Sequence, residues 1–173
     1  MKKTMALLAM TVFLAACGDQ QANEPQSQSQ SQPSTTTTSP TKKVEQGERV
    51  TLYNDFSTTD DSVSKGQELS YVYKRDGSLT RFLLTNLGYN QYVKSYSVSK
   101  DEKTVMLDFK QSVMKTQLFQ GSSGAKQTRD AIGKTFFANM PKLKTLQFRL
   151  NGQQEEWDHM NFTDYKRSDF SLD

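Results

Sequence analysis

The chain has 173 residues, of which 24% are charged and 34% hydrophobic, with 22 basic and 19 acidic side chains, one cysteine and one histidine. A lone cysteine excludes an internal disulfide, and a lone histidine leaves too few ligands for a zinc centre, which generally uses several His or Cys side chains. The pI near 8.9 owes much to Lys2 and Lys3; without them twenty basic side chains face nineteen acidic ones, so charge carries no warrant for a nucleic-acid partner.

The first segment reads as an export leader. The charged "MKK" precedes "TMALLAMTVFLAA", and Cys17 follows at once. That is a basic start, an apolar centre and a small-residue cleavage site. The apolar run is shorter than the roughly 20 residues a membrane span needs. The polar run after Cys17 offers no core to bury the thiol, and nothing basic or structured stands near it to lower its pKa for catalysis.

From Gly18 to about Lys43 the chain is rich in Gln, Ser, Thr and Pro and almost empty of large apolar side chains. Such a segment cannot bury enough surface to offset the entropy of ordering, so a disordered tether is expected. A flexible coil of this length spans about 25–31 Å root-mean-square. A Ser/Thr-rich segment that is glycosylated or binds cell wall is the alternative. The expected organisation is a leader over 1–16, a tether over 17–47 and one folded domain over 48–173.

Within that domain "RVTLYND" alternates Val50 and Leu52 with polar neighbours and is expected to be a strand. "ELSYVYKRDG" places Leu69, Tyr71 and Tyr73 on one face of a second strand, ended by the Asp-Gly pair. Ser78 is a plausible helix N-cap, and Leu79, Phe82, Leu83 and Leu87 recur at spacings of three and four before Gly88. Two further alternating runs surround the polar turn "KDEK": Tyr92, Lys94, Tyr96 and Val98, then Val105, Leu107 and Phe109. They predict an antiparallel hairpin with one buried face.

A second helix is expected to open at Ser123, with Ala125, Thr128, Ile132, Thr135 or Phe136, and Met140 facing inward, and to close at Pro141. Leu146, Phe148 and Leu150 lie on one face of a last long strand that Asn151-Gly152 turns back. The C-terminal segment carries Trp157, Phe162, Tyr165 and Phe170 and predicts a short strand and a tail packed by these aromatics. Strand, strand, helix, strand, strand, helix, strand predicts an α+β two-layer sandwich, a mostly antiparallel sheet with two helices on one face.

Few residues suggest chemistry. "GSSGAKQT" invites a phosphate-loop reading, but Ala125 separates Gly124 from Lys126 where a phosphate loop has glycine followed directly by lysine. His159 lacks metal partners beyond carboxylates such as Asp158, Glu156 or Asp164, and no Gly-x-Ser-x-Gly elbow marks a serine nucleophile. No catalytic residue, cofactor or metal is therefore expected. Trp157, His159, Phe162 and Tyr165 form a possible ligand or partner surface, with sealing of the core end as the plainer role. Lys142, Lys144 and Arg149 are expected on a solvated face that could meet anionic wall polymers.

Two resemblances bear on function. Leu14, Ala15, Ala16 and Cys17 resemble the bacterial lipobox, in which the cysteine sulfur is diacylated and becomes the mature N-terminus. This implies an extracytoplasmic protein held on the cell membrane, since two acyl chains anchor stably; in a cell with two membranes, the outer one is expected. The stretch from Val50 to Gly152 resembles the sporulation and spore germination (GerMN) domain in "VTLYND", "SLTRFLLTNL", "VKSYSVSKDEKTVMLDF" and "GSSGAKQTRDAIGKTFFANMPKLKTLQFRLNGQ". The resemblance implies a non-enzymatic envelope module, related in fold to ring-building domains, that binds another envelope protein or its own copies. A module binding cell-wall polymer through the Trp157–Tyr165 region is the alternative, and nucleic acid is not an expected partner.

Overall fold

The computed structural model describes residues 47–157 and 159–172. The expected leader, lipobox and tether, with Leu14, Ala15, Ala16 and Cys17, lie outside the described residues, as does Asp158. The described residues belong to one compact unit, Lys42–Asp173.

The fold is α+β, as expected. Strands β1 (Glu48–Phe56) and β2 (Val63–Tyr71) form an antiparallel hairpin of their own. A single helical turn α1 (Tyr73–Asp76) and the helix α2 (Leu79–Asn86) lead to β3 (Val93–Val98) and β4 (Thr104–Phe109). The long helix α3 (Ser122–Asn139) crosses to β5 (Thr145–Leu150), and the short strands β6 (Glu155–Trp157), β7 (Met160–Phe162) and β8 (Asp164–Lys166) complete the chain. The main sheet has the order β3-β4-β5-β8, antiparallel except for the parallel pair β4 and β5 that α3 connects. Parallel neighbours need such a crossover.

The first helix forms where its capping chemistry places it. The Ser78 hydroxyl accepts the Arg81 N–H and also bonds the Tyr96 hydroxyl at 2.7 Å, tying α2 to β3 on the sheet face that carries Leu107. Gly88 follows with φ near 80°, a left-handed conformation that suits glycine at a helix end. The turn after β5 also forms as expected. Asn151 and Gly152 take φ of 49° and 81°, and Leu150 and Gln153 exchange backbone hydrogen bonds across them, the pattern of a primed hairpin turn.

The core lies between the sheet and α3. Val105, Leu107, Phe109, Leu146, Phe148 and Leu150 project from β4 and β5 against Ile132 and Phe136, all essentially inaccessible. Phe109 is the centre of an aromatic cluster, its ring meeting those of Phe119, Phe148 and Phe162 with centroids 5.6, 5.3 and 5.9 Å apart. Edge-to-face packing of this kind adds to area burial.

Four expectations require correction. Tyr73 does not continue a strand; the Asp76 carboxylate accepts the Val72 N–H at 2.7 Å, the chain turns, and Tyr73 is 71% exposed. The alternation in β3 breaks because the register shifts between Val93 and Ser95, so Val93 is buried while Tyr96 and Val98 share the inner face. Ser123 is not the cap of α3, which Gly121 precedes with φ near 76°. Finally, α3 is not buried along one stripe. Ala131, Gly133 and Phe137 are buried beside the expected Ala125, Thr128, Ile132, Thr135 and Phe136, because the β1–β2 hairpin covers a second flank of the helix.

That hairpin is held by side chains of α3 acting on its backbone. Thr135 accepts the Tyr53 N–H at 2.9 Å, and Gln127 and Lys134 donate to the carbonyls of Ser57 and Val63 at 2.7 and 2.8 Å. Asn139 bonds both polar groups of Thr51, N–H and C=O, at 2.9 and 2.7 Å. The outer edge of β1, which has no strand partner, is thereby satisfied by a helix.

Candidate functional site

The structure divides the four residues expected to form an aromatic surface. Phe162 is fully buried against Phe109 and Phe119, and Tyr165 is 9% exposed, held edge-on and tilted between Phe148 and Phe170 with its hydroxyl donating to the Asn161 carbonyl at 2.6 Å. Burial raises the Tyr165 pKa. These two rings seal the core and present no face to a ligand. Trp157, at 40%, and His159 are exposed on the β6–β7 hairpin. The patch fails as a unit because strand alternation sends Phe162 inward while the hairpin tip leaves Trp157 outside.

The serine-glycine loop proves to be a docking point within the chain. The Ser123 hydroxyl donates to the Asp61 carboxylate and the Lys126 ammonium to the Asp61 carbonyl, both at 2.8 Å. The tip of the β1–β2 hairpin thus supplies the anion that a helix start favours. Lys126 also pairs with Asp130 at 3.1 Å.

Opposite the apolar face that meets α3, the main sheet has a second, polar face. The register brings Ser95 and Ser97 of β3, Met106 and Asp108 of β4, Gln147 and Arg149 of β5 and Asp164 of β8 onto it. Arg149 is not simply a solvated cation there: its guanidinium meets the Asp164 carboxylate at 2.6 Å and its side chain is 13% exposed. Burial acts to raise the Asp164 pKa, but the Arg149 guanidinium and the amides of Gln147 and Gln154 outweigh it and hold the carboxyl below its ordinary value. Asp108 on the same face accepts the Gly152 N–H at 2.6 Å, fixing the Asn151-Gly152 turn against β4.

The sheet ends on β3, which is hydrogen-bonded to β4 alone. After its irregularity near Val93 the strand runs regularly through Ser95, Tyr96, Ser97 and Val98, carries no charge over these four residues, and leaves Val98 40% exposed. Edge strands are usually blunted by charges, bulges or a covering element. The β1 edge is covered by α3, whereas this stretch of β3 is not blunted in any of these ways.

Several concavities indent the described surface, and three of them bear on binding. One of about 320 Å³ lies beside β6 and β7 and is lined by Gln154, Glu155, Glu156 and Asn161. A more apolar groove of about 630 Å³ runs among Phe56, Leu87, Tyr89, Tyr92 and Leu118. The third, of about 550 Å³, is bordered by Lys103, Lys142, Lys144, Lys166 and Arg167. Among the described residues no group of three His, Cys, Asp or Glu side chains is placed to hold a metal ion, and no helix is long and apolar enough to cross a membrane. The carboxylates held down to a pKa of about 2, Asp60 and Asp101, sit in exposed turns on the hydroxyls of Ser57 and Ser62 and of Ser99. They are turn-forming groups rather than acids or bases aimed into a cleft.

No family model, curated protein or solved structure matches this chain.

Proposed function

We propose that this protein is an envelope lipoprotein anchored through acylated Cys17, whose folded unit is a non-enzymatic module that binds an envelope protein or further copies of itself, as the GerMN resemblance implies. The observation that carries the reading is the open edge of β3. Ser95–Val98 offers regular, uncharged backbone at the end of a four-stranded sheet. A strand added there gains main-chain hydrogen bonds, and alternate side chains set its specificity. Heterologous contacts of this type close into rings or extend into arrays. Ser95 and Ser97 are exposed beside this edge, and polar side chains at such a rim discriminate between partners.

Crosslinking in cells tests the module. Single cysteines at Ser95 and Ser97 are introduced into the full-length chain, where acylated Cys17 is a thioether and does not oxidise. Oxidation is expected to give discrete adducts, either a dimer of this chain or a complex with one other envelope protein, and none from a cysteine at Ser112, which is exposed and away from the edge. Absence of adducts from both β3 positions rejects the module. Labelled palmitate tests the anchor separately: incorporation is expected in the native chain and not in Cys17→Ala, and an unlabelled native chain rejects it.

A further inference from the structure

Three adjacent strands end on lysines at one rim of the main sheet. Thr104 of β4 lies beside Thr145 of β5, and Thr145 beside Lys166 of β8. Lys103 and Lys144 immediately precede the two threonines, and the Lys144 N–H donates to the Lys103 carbonyl at 2.9 Å. Neighbouring strands lie about 4.8 Å apart, and Lys103, Lys144 and Lys166 line one concavity at this rim. Lys142 and Arg167 extend the row around the concavity, with Pro141 and Leu143 between them. Like charges placed side by side disfavour the fold, so such a row points to a partner that rewards it.

Some of this charge is already answered within the chain. Lys103 meets Asp101 at 3.1 Å and Lys142 meets Glu102 at 2.7 Å, while Asp169 accepts the backbone N–H of Lys166 at 2.7 Å. The Arg167 guanidinium donates to the carbonyls of Met140 and Pro141 at 3.2 and 3.4 Å and lies over the Phe137 ring. It thereby offsets the carbonyl end of α3, which by itself repels an anion. Among the described residues the ammonium groups of Lys144 and Lys166 form no ion pair, and Lys166 donates only to the Thr145 hydroxyl at 3.0 Å. Both side chains are exposed.

The direction of the chain supplies an independent observation. β1 runs antiparallel to α3, since Thr51 bonds Asn139, Tyr53 bonds Thr135 and Ser57 bonds Gln127. Gly47 and Glu48 therefore lie past the last residue of α3, at the same end as Pro141–Lys144. On the lipoprotein reading, the chain from the anchor enters the unit at this end.

We infer that the rim of Lys103, Lys142, Lys144, Lys166 and Arg167 is a docking face for anionic phospholipid headgroups of the bilayer that carries the anchor. The inference rests on the lipoprotein reading above. The phosphodiester oxygens accept hydrogen bonds from Lys144 and Lys166, and the bilayer's negative surface potential acts on the whole row. Docking holds the unit against the membrane instead of at the reach of its tether and leaves the β3 edge to turn about a fixed end.

Vesicle sedimentation tests this with the whole chain after the leader, residues 17–173 carrying Cys17→Ser, which has no acyl group. Vesicles of phosphatidylcholine with one third phosphatidylglycerol are expected to bind it, vesicles of phosphatidylcholine alone are not, and added salt is expected to release it. Lys144→Gln and Lys166→Gln are each expected to weaken binding about fivefold, and the pair roughly thirtyfold, with circular dichroism unchanged. Lys110→Gln with Lys115→Gln, beyond the opposite end of β4, is expected to leave binding unaltered. Equal binding to both vesicles, or indifference to the Lys144 and Lys166 changes, overturns the inference. So does a soluble glycerol-phosphate polymer that binds the rim while vesicles do not. Because the assayed chain is unacylated, failure here and failure of palmitate labelling in the native chain are read independently.

Discussion

Asn139, the last residue of α3, grips the backbone of Thr51 from both sides: its Oδ1 accepts the Thr51 N–H at 2.9 Å and its Nδ2 donates to the Thr51 carbonyl at 2.7 Å. The same amide donates to the Thr135 carbonyl one turn back, so its orientation is set by the helix before it reaches the strand. A side chain thus does for β1 what a neighbouring strand does elsewhere in a sheet. Truncation by Asn139→Ala leaves both groups of Thr51 without their partner in a partly buried setting, and is expected to cost about 2 kcal/mol. Asn139→Asp keeps the acceptor, loses the donor and sets a carboxylate against the Thr51 carbonyl, so it is expected to be at least as damaging at neutral pH. Urea unfolding midpoints of the three chains check the order.

Thr135 makes the matching test one turn earlier. Its hydroxyl accepts the buried Tyr53 N–H, and the residue has no measurable exposure. Thr135→Val keeps the shape and removes the acceptor, so an expected loss of about 1–3 kcal/mol measures the orphaned N–H rather than a cavity. Tyr53 and Thr51 are close neighbours, so Thr135→Val combined with Asn139→Ala is expected to cost less than the two separately. A denaturation cycle over the four chains reads the coupling.

These contacts mark the boundary of what the sequence made legible. Ser78, Gly88, Asn151-Gly152 and the alternation of Val105, Leu107 and Phe109 are local signals, and each appears in the structure in its expected role. The second flank of α3 was not legible, because Asn139 and Lys134 find their backbone partners only in a hairpin more than 70 positions away, and Thr135, expected to face inward, meets that hairpin as well. The β3 alternation misled for a local reason, a register shift beside Lys94 that no turn residue announces. At the candidate sites, the basic residues Lys142 and Lys144 were visible, but their grouping with Lys103 and Lys166 around one concavity follows from the pairing of β4, β5 and β8. Aromatic composition drew Trp157, His159, Phe162 and Tyr165 together, whereas the fold uses two of them as core.

The contrast between Phe162 and Trp157 is measurable. Phe162→Ala removes a ring in contact with those of Phe109 and Phe119, and is expected to cost about 3–5 kcal/mol. Trp157→Ala, on an exposed hairpin, is expected to change stability by less than about 0.5 kcal/mol. Because Trp157 is the only tryptophan in the chain, its fluorescence is expected to be quenched readily by acrylamide in the folded protein. Sedimentation with purified cell wall is expected to be unaffected by Trp157→Ala.

Acid stability follows from the carboxylates. Asp60 and Asp101 are held at a pKa of about 2 by serine hydroxyls, and Asp164 lies below its ordinary value through Arg149 and its amide neighbours. A carboxylate with a depressed folded pKa contributes stability that is complete above its unfolded pKa, about 3.9, and is lost as pH falls through the folded one. Stability is therefore expected to be level from neutral pH to about 4.5 and to decline toward pH 2. Asp164→Asn removes one contributor, and its acid limb is expected to be shallower than that of the native chain. Thermal midpoints taken from pH 7 to pH 2 check both the window and the change of slope.

Close packing at Gly133 links α3 to the C-terminal segment. A Cβ at this position would collide with the Cε1 and Cζ edge of the Phe170 ring, which is itself flanked by Phe137 and Tyr165 at centroid distances of 5.5 and 5.9 Å. Helix propensity alone favours Gly133→Ala by roughly 1 kcal/mol. The steric conflict opposes it, and an overpacked site costs about 1–3 kcal/mol when neighbours are not free to move. Phe170 cannot swing aside without leaving both rings, so the steric effect is expected to win and Gly133→Ala to destabilise. Phe170→Ala removes the obstacle: in that background Gly133→Ala is expected to become stabilising. A reversal of sign between the two backgrounds, read from urea unfolding, identifies the Phe170 ring as the reason for glycine here, while a destabilisation of equal size in both assigns the requirement to the helix backbone instead.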